Sequence, residues 1–323
     1  MVEVNLKNLR YNVNYIRDMG KDLIGVVKNN AYGCGSVEVS KYLVNELNVK
    51  YLFVNDFNEA KPLLNLDCNI IIGNSIIDLE LIKNYHNITL TINSLDDAIR
   101  YKNLSNNVHI QIDTLINRLG IKSMNEYLEV LEIVKSSSLE LIGIYTHFAS
   151  PESSLLQVEK FKEYVKLYDY KMVHCASTST FEQIDFGNYF RVGLGLYDIM
   201  QVMSVVSSPI SIRNVYKGES IGYNSEYVAK EDIKIAILPV GYGNGYRLHM
   251  KGFYVYCNGK FYNLLGRICM NHIFIEIDDS ITLDSVFELT SPNLKASLLA
   301  KHLNSHNYEI YTGFKFNEIR YIK

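Results

Sequence analysis

The chain lacks an excess of either charge: 32 Lys and Arg stand against 35 Asp and Glu, a formal net of −3 in 323 residues. That leaves no electrostatic footprint for nucleic acid or another polyanion. It also lacks a Cys-x-x-Cys pair. Its five cysteines, at 34, 68, 175, 257 and 269, are odd in number and scattered. Neither a disulfide framework nor a metal site is indicated, and reduced thiols are expected. No apolar run approaches the roughly 18 residues that a membrane span needs. The first seven residues, Met1 to Lys7, have none of the apolar core of a signal peptide. Internal repeats and low-complexity linkers are missing too. The expectation is a soluble cytoplasmic protein that binds no nucleic acid, membrane or metal, long enough for two domains and a substantial core.

What is present is an alternation. Short apolar runs fall at 23–27, 51–55, 69–73, 88–92, 107–113, 141–147, 171–175 and 190–197, with helical spacing between most of them, as at 36–48, 124–137 and 154–168. Asn5 or Asn8 is placed to cap a first helix with Leu6, Leu9, Val13 and Ile16 on one face. Eight nearly continuous apolar strands alternating with helices predict an α/β fold, an N-terminal (β/α)8 TIM barrel over residues 1–206. Beyond that the texture changes to period-two strands between Gly and Asn turns, as in Phe274-Ile275-Glu276-Ile277, so 207–323 reads as a mainly-β domain. A short helix near 294–303 and a last strand near 308–313 are expected to complete it.

Barrel enzymes take their working residues from the C-terminal ends of the strands. Lys28 ends the first strand and opens a turn, Lys28-Asn-Asn-Ala-Tyr32-Gly-Cys-Gly35. A lysine at such a mouth is costly to bury, and a desolvated amine is a nucleophile. Arg118 follows the fifth strand and His147 ends the sixth. His174, Ser177 and Thr178 close the seventh, and Arg191 and Gly193 lie in the eighth. Each alone reads as a solvated or hydrogen-bonded structural residue. All on one rim, they read as a site.

These segments, in this order, resemble the alanine racemase family, a pyridoxal 5'-phosphate (PLP)-dependent group of fold type III. The lysine block and the block Pro239-Val-Gly-Tyr-Gly-Asn-Gly-Tyr-Arg247 carry the resemblance best. Arg118-Leu-Gly, Thr146-His-Phe-Ala, Arg191-Val-Gly-Leu-Gly-Leu-Tyr, Gly222-Tyr-Asn and Gly266-Arg-Ile-Cys-Met add to it across nearly the whole chain. The resemblance implies a racemase interconverting L- and D-alanine by two-base proton transfer, and D-alanine for cell-wall peptide in a bacterial source. It implies that Lys28 holds PLP as a Schiff base and serves as one base, with Tyr223 as the other. By the same likeness His147 and Arg191 link that tyrosine to the pyridine nitrogen. Arg118 faces the substrate carboxylate, and the phosphate rests on Tyr32, Thr178 and the amides of Gly193 and Leu194. The family forms head-to-tail homodimers, so Tyr223 and Met270, with Tyr242, are expected to reach across to a partner's site.

Several positions depart from the family pattern. Gln111 replaces a lysine that is carbamylated in some members, so Arg118 must be oriented in another way. Asn271 and Asn244 replace carboxylates, and Phe316 replaces a tyrosine that often contacts the phosphate, which leads us to expect weaker PLP binding. Racemisation of serine or lysine, a related barrel decarboxylase, a PLP-carrier protein and an inactive relative stay open. The 207–323 region speaks against the carrier, which resembles a lone barrel.

Overall fold

The computed structural model describes residues 1–76 and 78–323. The chain forms two compact units. One comprises Asn12–Ala31 and Ser36–Leu196; the other comprises Met1–Tyr11, Tyr32–Gly35 and Tyr197–Lys323.

The first strand, β1 (Val2–Asn5), precedes α1 (Leu6–Arg17). The side-chain oxygen of Asn5 accepts from the amides of Lys7 and Asn8, so Asn5 caps this helix. Leu6, Leu9, Val13 and Ile16 are buried along it, as the spacing predicts. The eight strands of the first unit are β2 (Asp22–Val26), β3 (Tyr51–Val54), β4 (Asn69–Ile72), β5 (Ile88–Ile92), β6 (Asn107–Ile112), β7 (Glu140–Thr146), β8 (Met172–His174) and β9 (Tyr189–Val192). They pair in sequence order, all parallel, and β9 closes on β2 through Asp22↔Tyr189 and Ile24↔Arg191. The expected (β/α)8 barrel is therefore the observed one. Between strands, Ser94 caps Leu95–Tyr101 and Ser123 caps Met124–Lys135, each hydroxyl accepting from the third amide on. Ile24, Ile71, Ile142 and Met172 form one apolar cluster of the barrel, with Tyr51, Phe53 and Tyr189 packed on it. With one face of each strand committed to such clusters, register and the direction of every strand end are fixed.

The other unit is mostly β. Its strands are β1, β10 (Met203–Ser207), β11 (Ser211–Val215), β12 (Ser220–Ile221), β13 (Tyr227–Val228), β14 (Ile233–Leu238), β15 (Tyr254–Cys257), β16 (Lys260–Leu265), β17 (Ile273–Ile277), β18 (Phe287–Thr290) and β19 (Ile319–Ile322). Nine of them make one sheet in the order β11-β14-β17-β16-β15-β18-β10-β1-β19. Val215, Ile221, Ala229, Ile235 and Leu265 form one of its cores. The strand expected near 308–313 is instead a helix, Asn307–Gly313, and the last strand is β19. Asn307 Nδ2 donates to Asp198 at 2.7 Å and the Tyr311 hydroxyl donates to the same carboxylate, which pins that helix from a distant part of the chain. Among the described residues no helix is long and apolar enough to cross a membrane.

Candidate active site

Lys28 follows β2 directly through Val27, whose amide is held by Phe53 O at 3.0 Å. It opens a left-handed turn: Asn29, Asn30, Ala31 and Tyr32 have φ of 51, 54, 52 and 55°. Such backbone costs L-residues roughly 1–2 kcal/mol apiece, and asparagine tolerates it best. It persists because the surroundings over-determine it. Ala31 N donates to Val27 O at 2.9 Å, Ser36 N to Asn30 Oδ1 at 2.9 Å and Asn29 N to Glu59 Oε1 at 2.7 Å. The half-buried Lys28 ammonium is disfavoured first by burial and then by the positive charges of Arg118 and Arg191, with Glu59 opposing, so its pKa lies below the ordinary lysine value. That raises the share of neutral, nucleophilic amine.

Arg191, in β9, is buried and organises the barrel mouth. One guanidinium nitrogen lies 2.7 Å from His174 Nδ1; the other donates to Thr146 O at 3.0 Å and lies 3.2 Å from His147 Nδ1. An arginine only donates, so both imidazoles accept through Nδ1 and carry their proton on Nε2. His174 Nε2 then donates to His109 Nδ1, 3.0 Å away. His109 Nε2 finds no hydrogen-bond partner among the described residues. A Cβ at Gly143 would come within 2.5 Å of it, so glycine leaves the room that this ring occupies. Burial first, and then Arg191, holds the pKa of His109 and of His147 down to about 3 and lowers that of His174 as well. All three imidazoles are neutral at physiological pH. Tyr145 stacks on His174 at 4.8 Å between centroids, and the guanidinium lies 4.7 Å from its ring. That is cation–π geometry.

Arg118 is exposed on the loop after β6. The loop is tied at its base by Asp113 N to Ile121 O and by Ile121 N to Gln111 O, both 2.9 Å. Inside it Asp113 Oδ1 accepts from the amides of Leu115, Ile116 and Asn117. Gln111 is buried, accepts from the Tyr145 hydroxyl at 2.7 Å and donates to Leu119 O at 3.0 Å. The amide that stands where carbamylation is impossible therefore braces the loop by ordinary hydrogen bonds. Thr178 Oγ1 accepts from Gly195 N at 2.8 Å, which leaves its proton to donate beside Gly193 and Leu194. A Cβ at Gly195 would meet Val192 Cγ1 at 2.9 Å, so the segment after β9 packs closely because it is glycine.

The first unit thus brings together Lys28, Arg118, His147 and Arg191 by charge or hydrogen bond, and carries Thr178, Gly193 and Leu194. Tyr32, Tyr223 and Met270 belong to the second unit. There the Tyr32 ring stacks on Tyr197 at 4.9 Å. Tyr223 is 66% exposed after Gly222, whose φ is 74°. Tyr242 and Met270, 43% and 56% exposed, sit on loops joined by Tyr242 N to Cys269 O (3.0 Å) and Gly243 N to Met270 O (2.9 Å). Sequence reasoning missed His109, Tyr145 and Glu59. The alternating polar residues His109, Gln111 and Asp113 inside an otherwise apolar strand were the available signal for the first.

Fold and mouth together define a (β/α)8-barrel protein with a depressed-pKa lysine and a buried arginine–histidine group at the strand ends. The family description "Alanine racemase, N-terminal domain" matches residues 4–201 and "Alanine racemase, C-terminal domain" matches 202–321. The chain is 30% identical to the alanine racemase of Borreliella burgdorferi over 359 residues, covering 99% of this chain and 96% of that protein. It is 30% identical to that of Fusobacterium nucleatum over 308 residues, covering 87% and 86%. The crystal structure of alanine racemase from Bacillus anthracis with bound L-Ala-P superposes with a TM-score of 0.91 at 26% identity, covering 100% of this chain and 94% of that one. The chain belongs to the alanine racemase family.

Proposed function

We propose that this chain is a PLP-dependent isomerase that interconverts L- and D-alanine, and that it works in the cytoplasm as a head-to-tail homodimer. The observation that carries the reading is the Lys28 amine, deprotonated more readily than an ordinary lysine and placed at the mouth with Arg118 and Arg191. The residues present fit the cofactor. A neutral amine suits an aldehyde, a hydroxyl and a close glycine backbone suit a phosphate, and a guanidinium held by neutral imidazoles suits a ring nitrogen. When bound, PLP supplies the aldehyde that captures the substrate amine and the electron sink that makes the Cα proton removable.

Lys28 would hold the cofactor, and Thr178, Tyr32, Gly193 and Leu194 its phosphate. Arg191 has no proton to release, so it presents a donor to the ring nitrogen without charging it. Once the substrate amine has displaced it from the cofactor, the freed Lys28 Nζ would take the Cα proton on one face, and the Tyr223 hydroxyl of the partner would return one on the other. One proton leaves and one arrives, which inverts the centre. His147, protonated on Nε2, is suited to hold the tyrosine. Arg118 orients the substrate carboxylate. The exposed side chains of Tyr242 and Met270, on two loops joined by backbone hydrogen bonds, support the dimer as an apolar pair open to a partner, and Tyr223 is exposed as well.

Incubation with L-alanine in deuterated water tests the reading. Deuterium at Cα with loss of chirality is expected. Lys28→Ala should abolish both this exchange and the visible band of the lysine-bound cofactor, while Tyr223→Phe should keep the band and lose racemisation. Carbon dioxide release, or no change, would refute it.

A further inference from the structure

The turn that carries Lys28 is held by a residue outside the group described above. Glu59 lies in the short helix Phe57–Ala60 that follows β3. Its two carboxylate oxygens face different segments. Oε2 accepts from the amide of Asn55, in the bend between β3 and its own helix, at 2.7 Å. Oε1 reaches across to the amide of Asn29 at 2.7 Å. Asn29 is the first residue of the left-handed turn, with φ of 51°. Both are short, charge-assisted bonds of the stronger kind.

We infer that Glu59 is a positioning residue for Lys28: its carboxylate spans from the β3 helix to the Asn29 amide and holds the strained turn that aims the lysine amine into the barrel mouth. The position of the bond is what makes the assignment. A run of left-handed residues beginning one residue after the amine sets the direction of the Lys28 side chain, and Glu59 grips that run at its first amide. Ala31 N to Val27 O closes the turn across Lys28 from within, and Ser36 N to Asn30 Oδ1 acts further along, whereas Glu59 ties its first amide to the helix after β3. Glu59 also brings negative charge near an amine otherwise surrounded by Arg118 and Arg191. It thus steadies a turn that local propensity disfavours.

Its own helix offers the ordinary explanation for Glu59, and Asp56 separates the two. Asp56 Oδ1 caps that helix, accepting from Asn58 N at 2.9 Å and Glu59 N at 3.2 Å. Asp56→Ala therefore damages the helix cap while leaving in place both partners of the Asn29–Glu59 bond. The inference rests on the reading that Lys28 takes up PLP, and the experiment keeps the two apart. Full-length wild-type, Glu59→Ala and Asp56→Ala proteins are freed of cofactor and reloaded with PLP. The rate at which the visible band appears is followed, and amide exchange at Asn29 is measured without cofactor. Glu59→Ala is expected to load about tenfold more slowly or worse, the factor that losing one charge-assisted hydrogen bond carries, and to lose protection at Asn29. Asp56→Ala is expected to melt lower but load and protect as wild type does. Wild-type loading and protection in Glu59→Ala would overturn the inference, and so would equal slowing in Asp56→Ala. If wild-type protein formed no band, the functional reading would fall instead, and exchange at Asn29 would still decide the role of Glu59.

Discussion

Replacing Tyr145 by phenylalanine removes one hydroxyl from the middle of the barrel. That hydroxyl donates to Gln111 Oε1 at 2.7 Å and lies 3.3 Å from Thr91 Oγ1. The ring keeps its stack on His174 and its place under the Arg191 guanidinium, because both depend on the aromatic face. The loss is therefore that of a buried donor whose acceptor stays behind without water to replace it, about 1–3 kcal/mol. At roughly 2–4 °C per kcal/mol for a unit of this size, Tm should fall by about 2–12 °C. The same change releases the amide that braces Leu119 O, next to Arg118, so the loop carrying the arginine proposed to orient the substrate carboxylate loosens. In racemisation assays KM for alanine should rise while kcat changes less, since neither proposed base is touched. A variant that melts within about 1 °C of wild type, with KM unchanged, would refute the reasoning.

The buried imidazoles set an acid limit. The unfolded chain protonates its histidines near 6.5, whereas His109 and His147 protonate only at about 3 when folded. Between those values the unfolded state binds more protons, so stability is complete above about 6.5 and falls as the medium is acidified. The urea midpoint should drop from pH 7 to 5, and His147→Gln should flatten that slope. Lys28, also lowered, contributes the same sign at alkaline pH, where stability should rise towards the unfolded lysine pKa. In the second unit Gly241→Ala would put a Cβ 2.1 Å from Cys269 O and 2.4 Å from Met270 O. The backbone there is extended, so the cost is contact alone, about 1–3 kcal/mol of overpacking. Sedimentation should show weakening of the proposed dimer and assays lost racemisation, while the Lys28-dependent visible band survives. A stable, active dimer would disprove that those loops meet a partner.

The amino-acid sequence by itself determined the alternation of eight buried strands with helices, because period-two and continuous apolar runs register burial locally. It also placed Lys28, His147 and Arg191 on one rim, since strand ends in a parallel barrel share a side whatever else the chain does. Other features were decided only by tertiary structure. Ala31 and Tyr32 adopt left-handed backbone that no propensity favours, and the turn is gripped by Glu59 from the helix after β3. His109 and Tyr145 look like ordinary strand residues until the closed barrel stacks them around Arg191. Val2–Asn5 pairs with Ile319–Ile322, near the opposite end of the chain. The strand expected near 308–313 is a helix, Asn307–Gly313, which Asp198 holds through Asn307 and Tyr311. In each case the deciding partner is far away in the chain, and a window along the sequence holds no record of it.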